Sequence, residues 1–332
     1  MVLRTEKTDS ASGGNAGRRV GSATAGAGRR GRSGKRARVS RARHGEGLGA
    51  GILILPYLVV MLVAGVVPVI YAVQQSLLDE NGQFNGVKSY DTVVHYYDFV
   101  NTFKHIGSVI IVWLPLMMIG VVAMALLVHA TPGRLGGVMR FVYYLPGALA
   151  GVANFMLWLF LLDPTVSPLR SILHGLGYDT LNQTLTPTNL PAVLALMLFF
   201  QGAGTWLVIL YGGLNGISED VLEAAVLDGA SGLQVALRVK LPMIRPWIGY
   251  MALMNLAYGF QLFLEPNVLG TAAHGVISPE WTPNQLSYFF AFGGAVGGEP
   301  AAAAMSVILL VITLGIGMLI VTKSSLFDKE TT

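Results

Sequence analysis

Long apolar runs broken by short polar ones dominate this chain, and they exceed the length of strands or helices in a soluble core. Six stretches reach the roughly 20 residues that a helix needs to cross a bilayer core about 30 Å thick: residues 51–77, 106–128, 138–162, 190–212, 247–265 and 301–321. Helices are the expected spanning elements, because they satisfy their own backbone hydrogen bonds where no water is at hand. The pattern predicts an all-α, polytopic membrane protein with six transmembrane helices. These occupy residues 48–326, between a polar stretch at 1–47 and a short end at 327–332.

Composition agrees: 53% of residues are hydrophobic and 12% charged, about half the charged share of ordinary soluble domains. There is no cysteine, which excludes disulfides and thiolate metal sites. The six histidines are scattered, with no His-x-x-x-His pair, so no metal site is expected. Residues 1–47 hold twelve of the 22 Lys/Arg but only three of the 18 Asp/Glu, and are rich in Gly, Ala and Ser without apolar periodicity. That composition predicts a disordered cytoplasmic tail drawn to anionic lipid headgroups. A run such as Gly28-Arg-Arg-Gly-Arg-Ser-Gly-Lys-Arg36 can track phosphates, but the tail has no aromatic residue to stack on bases, and no nucleic-acid partner is expected. The apolar run that follows is too long for a cleavable leader.

Orientation follows the positive residues. With the N-terminus inside and six crossings, 19 of the 22 Lys/Arg fall on the cytoplasmic side, leaving Lys88, Lys104 and Arg170 outside. Both termini are therefore expected in the cytoplasm. The loops 79–105, 163–189 and 267–299 become external. Their aromatic pieces, such as His95-Tyr-Tyr-Asp98 and Pro279-Glu-Trp-Thr-Pro283, suit interfacial anchoring or an external docking partner.

The loop 218–246 then lies inside. Ser218-Glu219-Asp220 favours a helix start, and Asp228-Gly229 ends the short run Val221–Leu227, since Gly tolerates the turn that a β-carbon resists. A second short helix, 230–239, is expected to stop at Leu241-Pro242, because Pro disfavours helix in the residue before it. The loop carries Glu223-Ala-Ala-Val-Leu-Asp-Gly-Ala230 and Lys240-Leu-Pro-Met-Ile-Arg-Pro246. No phosphate-binding loop stands anywhere in the chain: Gly34-Lys35-Arg36 lacks the spacing, the hydroxyl residue and a preceding strand.

Glu223, Ala224, Ala225, Asp228, Gly229, Ala230, Leu241, Pro242 and Pro246 resemble the EAA loop of bacterial ABC importer permeases. Tyr211-Gly-Gly-Leu-Asn-Gly-Ile217, and Tyr144-Leu-Pro146 opening a helix after Arg140, look like the binding-protein-dependent sugar permeases of the maltose-transporter-like, type I kind. The resemblance covers about residues 50 to 325. It implies a multi-pass subunit of the bacterial plasma membrane whose loop docks on a cytoplasmic ATPase. It further implies a second, different permease, two ATPase subunits holding ATP and Mg, and an external solute-binding protein, with no cofactor bound by this chain. A permease for polyamine or glycerol phosphate is the alternative within transport, and a channel the one outside it. The sequence departs from the family at Ala236, where a large aromatic residue is frequent, and at Val226, where a basic one is.

A substrate path requires polar residues inside the spans, which are costly in lipid and face a bundle interior or cavity. Asn255, Tyr258, Gln261 and Glu265 are spaced to share one face of the fifth helix. Asn255 to Gln261 lie roughly 12–21 Å from the inner surface at about 1.5 Å per residue, and Gln201 on the fourth helix reaches a similar depth. Amides, a hydroxyl and a ring suit a neutral polyol; interhelical hydrogen bonding uses the same residues.

Overall fold

The computed structural model describes residues 53–131, 133–148, 151–272 and 277–323. The tail 1–47 and the end 327–332 lie outside the described residues. The chain divides into two units, 1–62 and 63–332, and the packed bundle belongs to the second. Among the described residues there is no strand, only an isolated bridge between Leu78 and Phe84.

Four helices are long and apolar enough to cross a membrane: α1 (Leu53–Ser76), α3 (Phe99–Ala130), α6 (Leu190–Asn215) and α11 (Gly298–Lys323). Between α1 and α3 lies the short α2 (Lys88–Val94). The other two expected spans are each broken. Residues 138–162 fall in α4 (Gly133–Ala148) and α5 (Gly151–Leu162). Gly151 adopts a φ of +50° at the break, a conformation that resists a β-carbon. Tyr144-Leu-Pro146 does not open a helix, as its motif implied, but lies inside α4. Pro146 stands in the last turn, where its missing N–H costs α4 one bond to the carbonyl four residues back.

Residues 247–265 divide into α8 (Arg245–Phe260) and α9 (Leu264–Ala272), so Glu265 does not share a helix with Asn255. The cause is tertiary. The helix end exposes carbonyls that must be satisfied away from water, and two are met from far along the chain. Thr282 donates its hydroxyl to the Leu262 carbonyl at 2.8 Å, and Asn284 its side-chain N–H to the Gln261 carbonyl at 3.1 Å. Thr282 also caps α10 (Pro283–Phe292), with Gln285 completing a capping box.

The core forms around α6, which packs against α3, α4 and α8. α3 presents Val109, Trp113, Met117, Val121 and Ala125 at helical spacing to Leu194, Leu198, Leu207 and Leu210 of α6. A smaller core joins Val93 of α2, Leu286 and Phe290 of α10, and Ala301, Ala304 and Met305 of α11. Helices in lipid gain little from hydrophobic exclusion and associate through close contact at small residues. Gly204 of α6 is such a point: a β-carbon there would lie 2.6 Å from the Tyr143 carbonyl oxygen and from Tyr144 Cα of α4. Gly147 of α4 returns the contact, its would-be β-carbon 2.7 Å from the Gln201 carbonyl oxygen. Gly204→Ala is expected to force α4 and α6 apart at a cost of about 1–3 kcal/mol. Gly212→Ala, where a β-carbon meets nothing within 4 Å, should leave the thermal unfolding midpoint of the detergent-purified protein unchanged or higher.

Candidate functional site: a mid-bundle cavity and the loop 218–246

A cavity of about 470 Å³ opens among α3, α6 and α8, lined by Trp113, Leu198, Gln201, Gly202, Thr205, Trp206, Met254, Asn255, Ala257, Tyr258 and Gln261. Its volume falls within the roughly 300–1,000 Å³ usual for small-molecule sites. The four path candidates, Gln201, Asn255, Tyr258 and Gln261, all stand in this one wall. Gln201 is near the middle of α6 and Trp113 near the middle of α3, which sets the cavity at mid-height. Gln261 arrives there through the break after α8: irregular backbone at membrane depth is tolerated where it lines a cavity.

The polar atoms are not equivalent. Asn255 is 4% exposed, and its side-chain N–H donates to the Met251 carbonyl at 2.7 Å within its own helix. Tyr258 donates its hydroxyl to Oε1 of the buried Glu265 at 2.7 Å, holding α9 to α8. In contrast, Gln201 Oε1 and Trp113 Nε1 are buried without a hydrogen-bond partner. An unmet acceptor and an unmet donor that no water reaches are costly to the fold. No lining side chain carries a formal charge.

The rings of Trp113, Trp206 and Tyr258 supply the apolar surface, with Trp113 and Tyr258 meeting edge-to-face at 6.1 Å. Trp113, Thr205 and Trp206 were not among the residues read from sequence. Trp113 had a signal, since tryptophan in a span prefers the membrane interface and this one sits at the centre.

The loop 218–246 begins with α7 (Glu219–Leu227), whose N-cap Ser218 has extended geometry but makes no side-chain capping bond. Gly229 follows with φ +82°. The second helix does not start at Ala230. Ser231 caps it, Gln234 completing a capping box, and it begins at Gly232. Nor does it stop at Leu241-Pro242: a π-turn over Val235–Lys240 leads into helical Leu241–Met243. Proline has no N–H and crowds the carbonyl four residues back. Here the Leu241 N–H reaches the Ala236 carbonyl, five residues back, and the wider turn lets the helix run past Pro242. A second π-turn, Leu62–Val66, precedes Pro68 in the same way.

Glu223, Ala224, Asp228 and Gly229 are exposed, Ala225, Ala230, Leu241 and Ala236 half-buried, and Pro242 exposed. Large apolar side chains also stand free on this loop: Val226 is 61%, Leu227 88% and Leu233 70% exposed. Lys240 faces inward, and burial holds its ammonium below the usual lysine value. Outside the bundle, Tyr97 donates a hydrogen bond to Glu280, and His105 stacks on Trp281 at 4.8 Å. These contacts hold α3 and the segment before it to the segment before α10, and the Glu280 carboxylate raises the Tyr97 hydroxyl above its ordinary value.

No family model matches the chain. It is similar to the sn-glycerol-3-phosphate transport system permease protein UgpA of Agrobacterium fabrum, 26% identical over 285 residues, covering 80% of this chain and 90% of the relative. It is also similar to the alpha-glucoside transport system permease protein AglF of Rhizobium meliloti, at 24% identity and 79% of each chain. The arabinooligosaccharides transport system permease protein AraP of Bacillus subtilis matches at 24% over 48% of this chain and 50% of its own length. Among solved structures, a chain of a bacterial ABC transporter involved in import of the acidic polysaccharide alginate superposes with a TM-score of 0.72. Its identity is 19%, over 88% of this chain and 100% of that one. Relatives and fold point the same way: over most of its length this chain is similar to permease subunits of ABC transport systems.

Gln201→Leu removes a buried carbonyl that the protein itself does not satisfy, and should leave the unfolding midpoint unchanged or raise it. Trp113→Ala, which empties the core beside it, should cost about 3–5 kcal/mol.

Proposed function

We propose that this chain is the permease through which a sugar or related neutral solute crosses the bacterial inner membrane, both termini facing the cytoplasm. The observation that carries the reading is the cavity wall: three aromatic rings and three side-chain amides, with no charged group. Rings stack on the apolar faces of a sugar, and amides meet its hydroxyls. An anionic solute such as glycerol phosphate or alginate, named for two of the relatives, would call for a cation in the wall. The cavity offers none, which favours the neutral class over the glycerol-phosphate or polyamine alternative.

Energy enters through the loop 218–246. Its exposed residues Glu223, Asp228, Gly229 and Leu227 form the surface offered to a cytoplasmic ATPase subunit, and ATP hydrolysis falls to that partner. Two such subunits, holding ATP and Mg, a second and different permease, and an external solute-binding protein complete the importer in this reading. No cofactor is assigned to this chain. Leu233 and Leu237, 70% and 49% exposed, supply apolar volume beside Ala236, where relatives of this kind often carry an aromatic residue.

Uptake of labelled neutral di- and oligosaccharides by a deletion strain complemented with this chain tests the solute class. Restored uptake of a neutral saccharide, reduced about tenfold or more in apparent affinity by Gln201→Leu, is expected. Uptake of anionic solutes alone would overturn it. In the purified complex, Glu223→Ala with Gly229→Val should abolish solute-stimulated ATP hydrolysis, and full stimulation in that variant would remove the coupling role from this loop.

A further inference from the structure

His129 stands in the last turn of α3, half-buried, and its Nδ1 lies 2.9 Å from the ammonium of Lys240 in the π-turn of the loop. Two groups often thought of as cations make a close contact here. An ammonium has three donors and no acceptor. The contact therefore requires a neutral imidazole with a free lone pair on Nδ1 and its proton on Nε2. The ring also packs beside the Tyr211 ring near the end of α6. One side chain thus ties together the ends of the two helices that carry Trp113 and Gln201, and the loop that faces the cytoplasm.

The surroundings favour the neutral ring. Tyr211 of α6 stands 5.9 Å away between ring centroids, and the Arg140 guanidinium of α4 lies 4.5 Å from the centroid of that same Tyr211 ring. Arg238 and Arg245 flank Lys240 along the chain. The acids of the adjoining α7, Glu219, Asp220, Glu223 and Asp228, are all exposed. Among the described residues neither His129 nor Lys240 has a carboxylate within ion-pair distance.

We propose that His129 is the positioning residue through which the cytoplasmic loop moves the bundle. Neutral, it accepts from Lys240 and rests against Tyr211, so displacement of the loop is transmitted to α3 and α6. Protonated, it sets two cations against each other and releases the loop. The inference rests on the loop's coupling role argued above and adds the link by which movement leaves the loop.

The test uses the assembled importer in proteoliposomes, read as solute transported per ATP hydrolysed. His129→Phe keeps the ring without its nitrogens, and Lys240→Met keeps the stem without the ammonium. Each should lower that ratio about tenfold, the scale of one hydrogen bond to a charged group, with the ATPase still co-purifying. His129→Gln, which offers both an acceptor and a donor, should restore most of it. Acidification of the cytoplasmic side to below the range where a free imidazole takes its proton should lower the ratio in the wild type and leave it level in His129→Gln. Normal coupling in both His129→Phe and Lys240→Met, with coupling lost in Gly229→Val, would overturn this link alone. Coupling retained in Gly229→Val would overturn the loop's role and this link with it. An equal pH response in wild type and His129→Gln would remove the imidazole from the mechanism.

Discussion

The close approach of α6 to its neighbours is the constraint on which the rest of the bundle depends. In water, apolar faces are driven together; between lipid-soluble helices that drive is largely missing, and proximity has to come from the shape of the surfaces. α6 meets this with glycine on several sides. Gly204 lets the α4 backbone through, Gly202 makes room for Met117 of α3, and Gly213 for the Trp247 ring of α8. The same helix carries Gln201 and Trp206 into the cavity. Contact geometry at the glycines thereby sets the position of the polar groups one turn away.

The two broken spans make a complementary use of irregular backbone. A continuous helix through residues 247–265 would bury all its carbonyls in its own hydrogen bonds. By ending α8 at Phe260, the chain turns Gln261 into the cavity and hands the freed carbonyls to Thr282 and Asn284. Tyr258 and Glu265 then close the gap from the other side. The break is held by partners about twenty residues downstream, and those partners begin α10, which is part of the second core.

That distribution explains what could be read from the residues alone. The long spans were legible, because a run such as 301–321 has a single physical reading. So was the turn at Asp228-Gly229, where φ +82° admits few residues besides glycine. Clustering of Gln201, Asn255, Tyr258 and Gln261 followed from their cost in lipid, though not with Glu265 on the same helix. The break at 261–263 was not read, although Gly259 stands just before it and Pro266 lies in the first turn of α9, because the groups that hold it open, Thr282 and Asn284, are some twenty residues away. Continuation through Pro242 was missed for a related reason. Local propensity predicts a stop there, and only a change of hydrogen-bond register carries the helix past.

The π-turn at Val235–Lys240 has a consequence for length. A π-turn takes up one residue more than the α-turn it replaces, so the chain beyond it is rotated by roughly 100° from where an uninterrupted α-helix would place it. Lys240 faces His129, and Val235 is buried while Leu233 and Leu237 point outward, at this phase and no other. The number of residues between Ser231 and Pro242 is then as constrained as their chemistry. A single insertion there, unlike a deletion that the extra residue of the π-turn can absorb, would leave every side chain intact and turn the inward face of the loop outward.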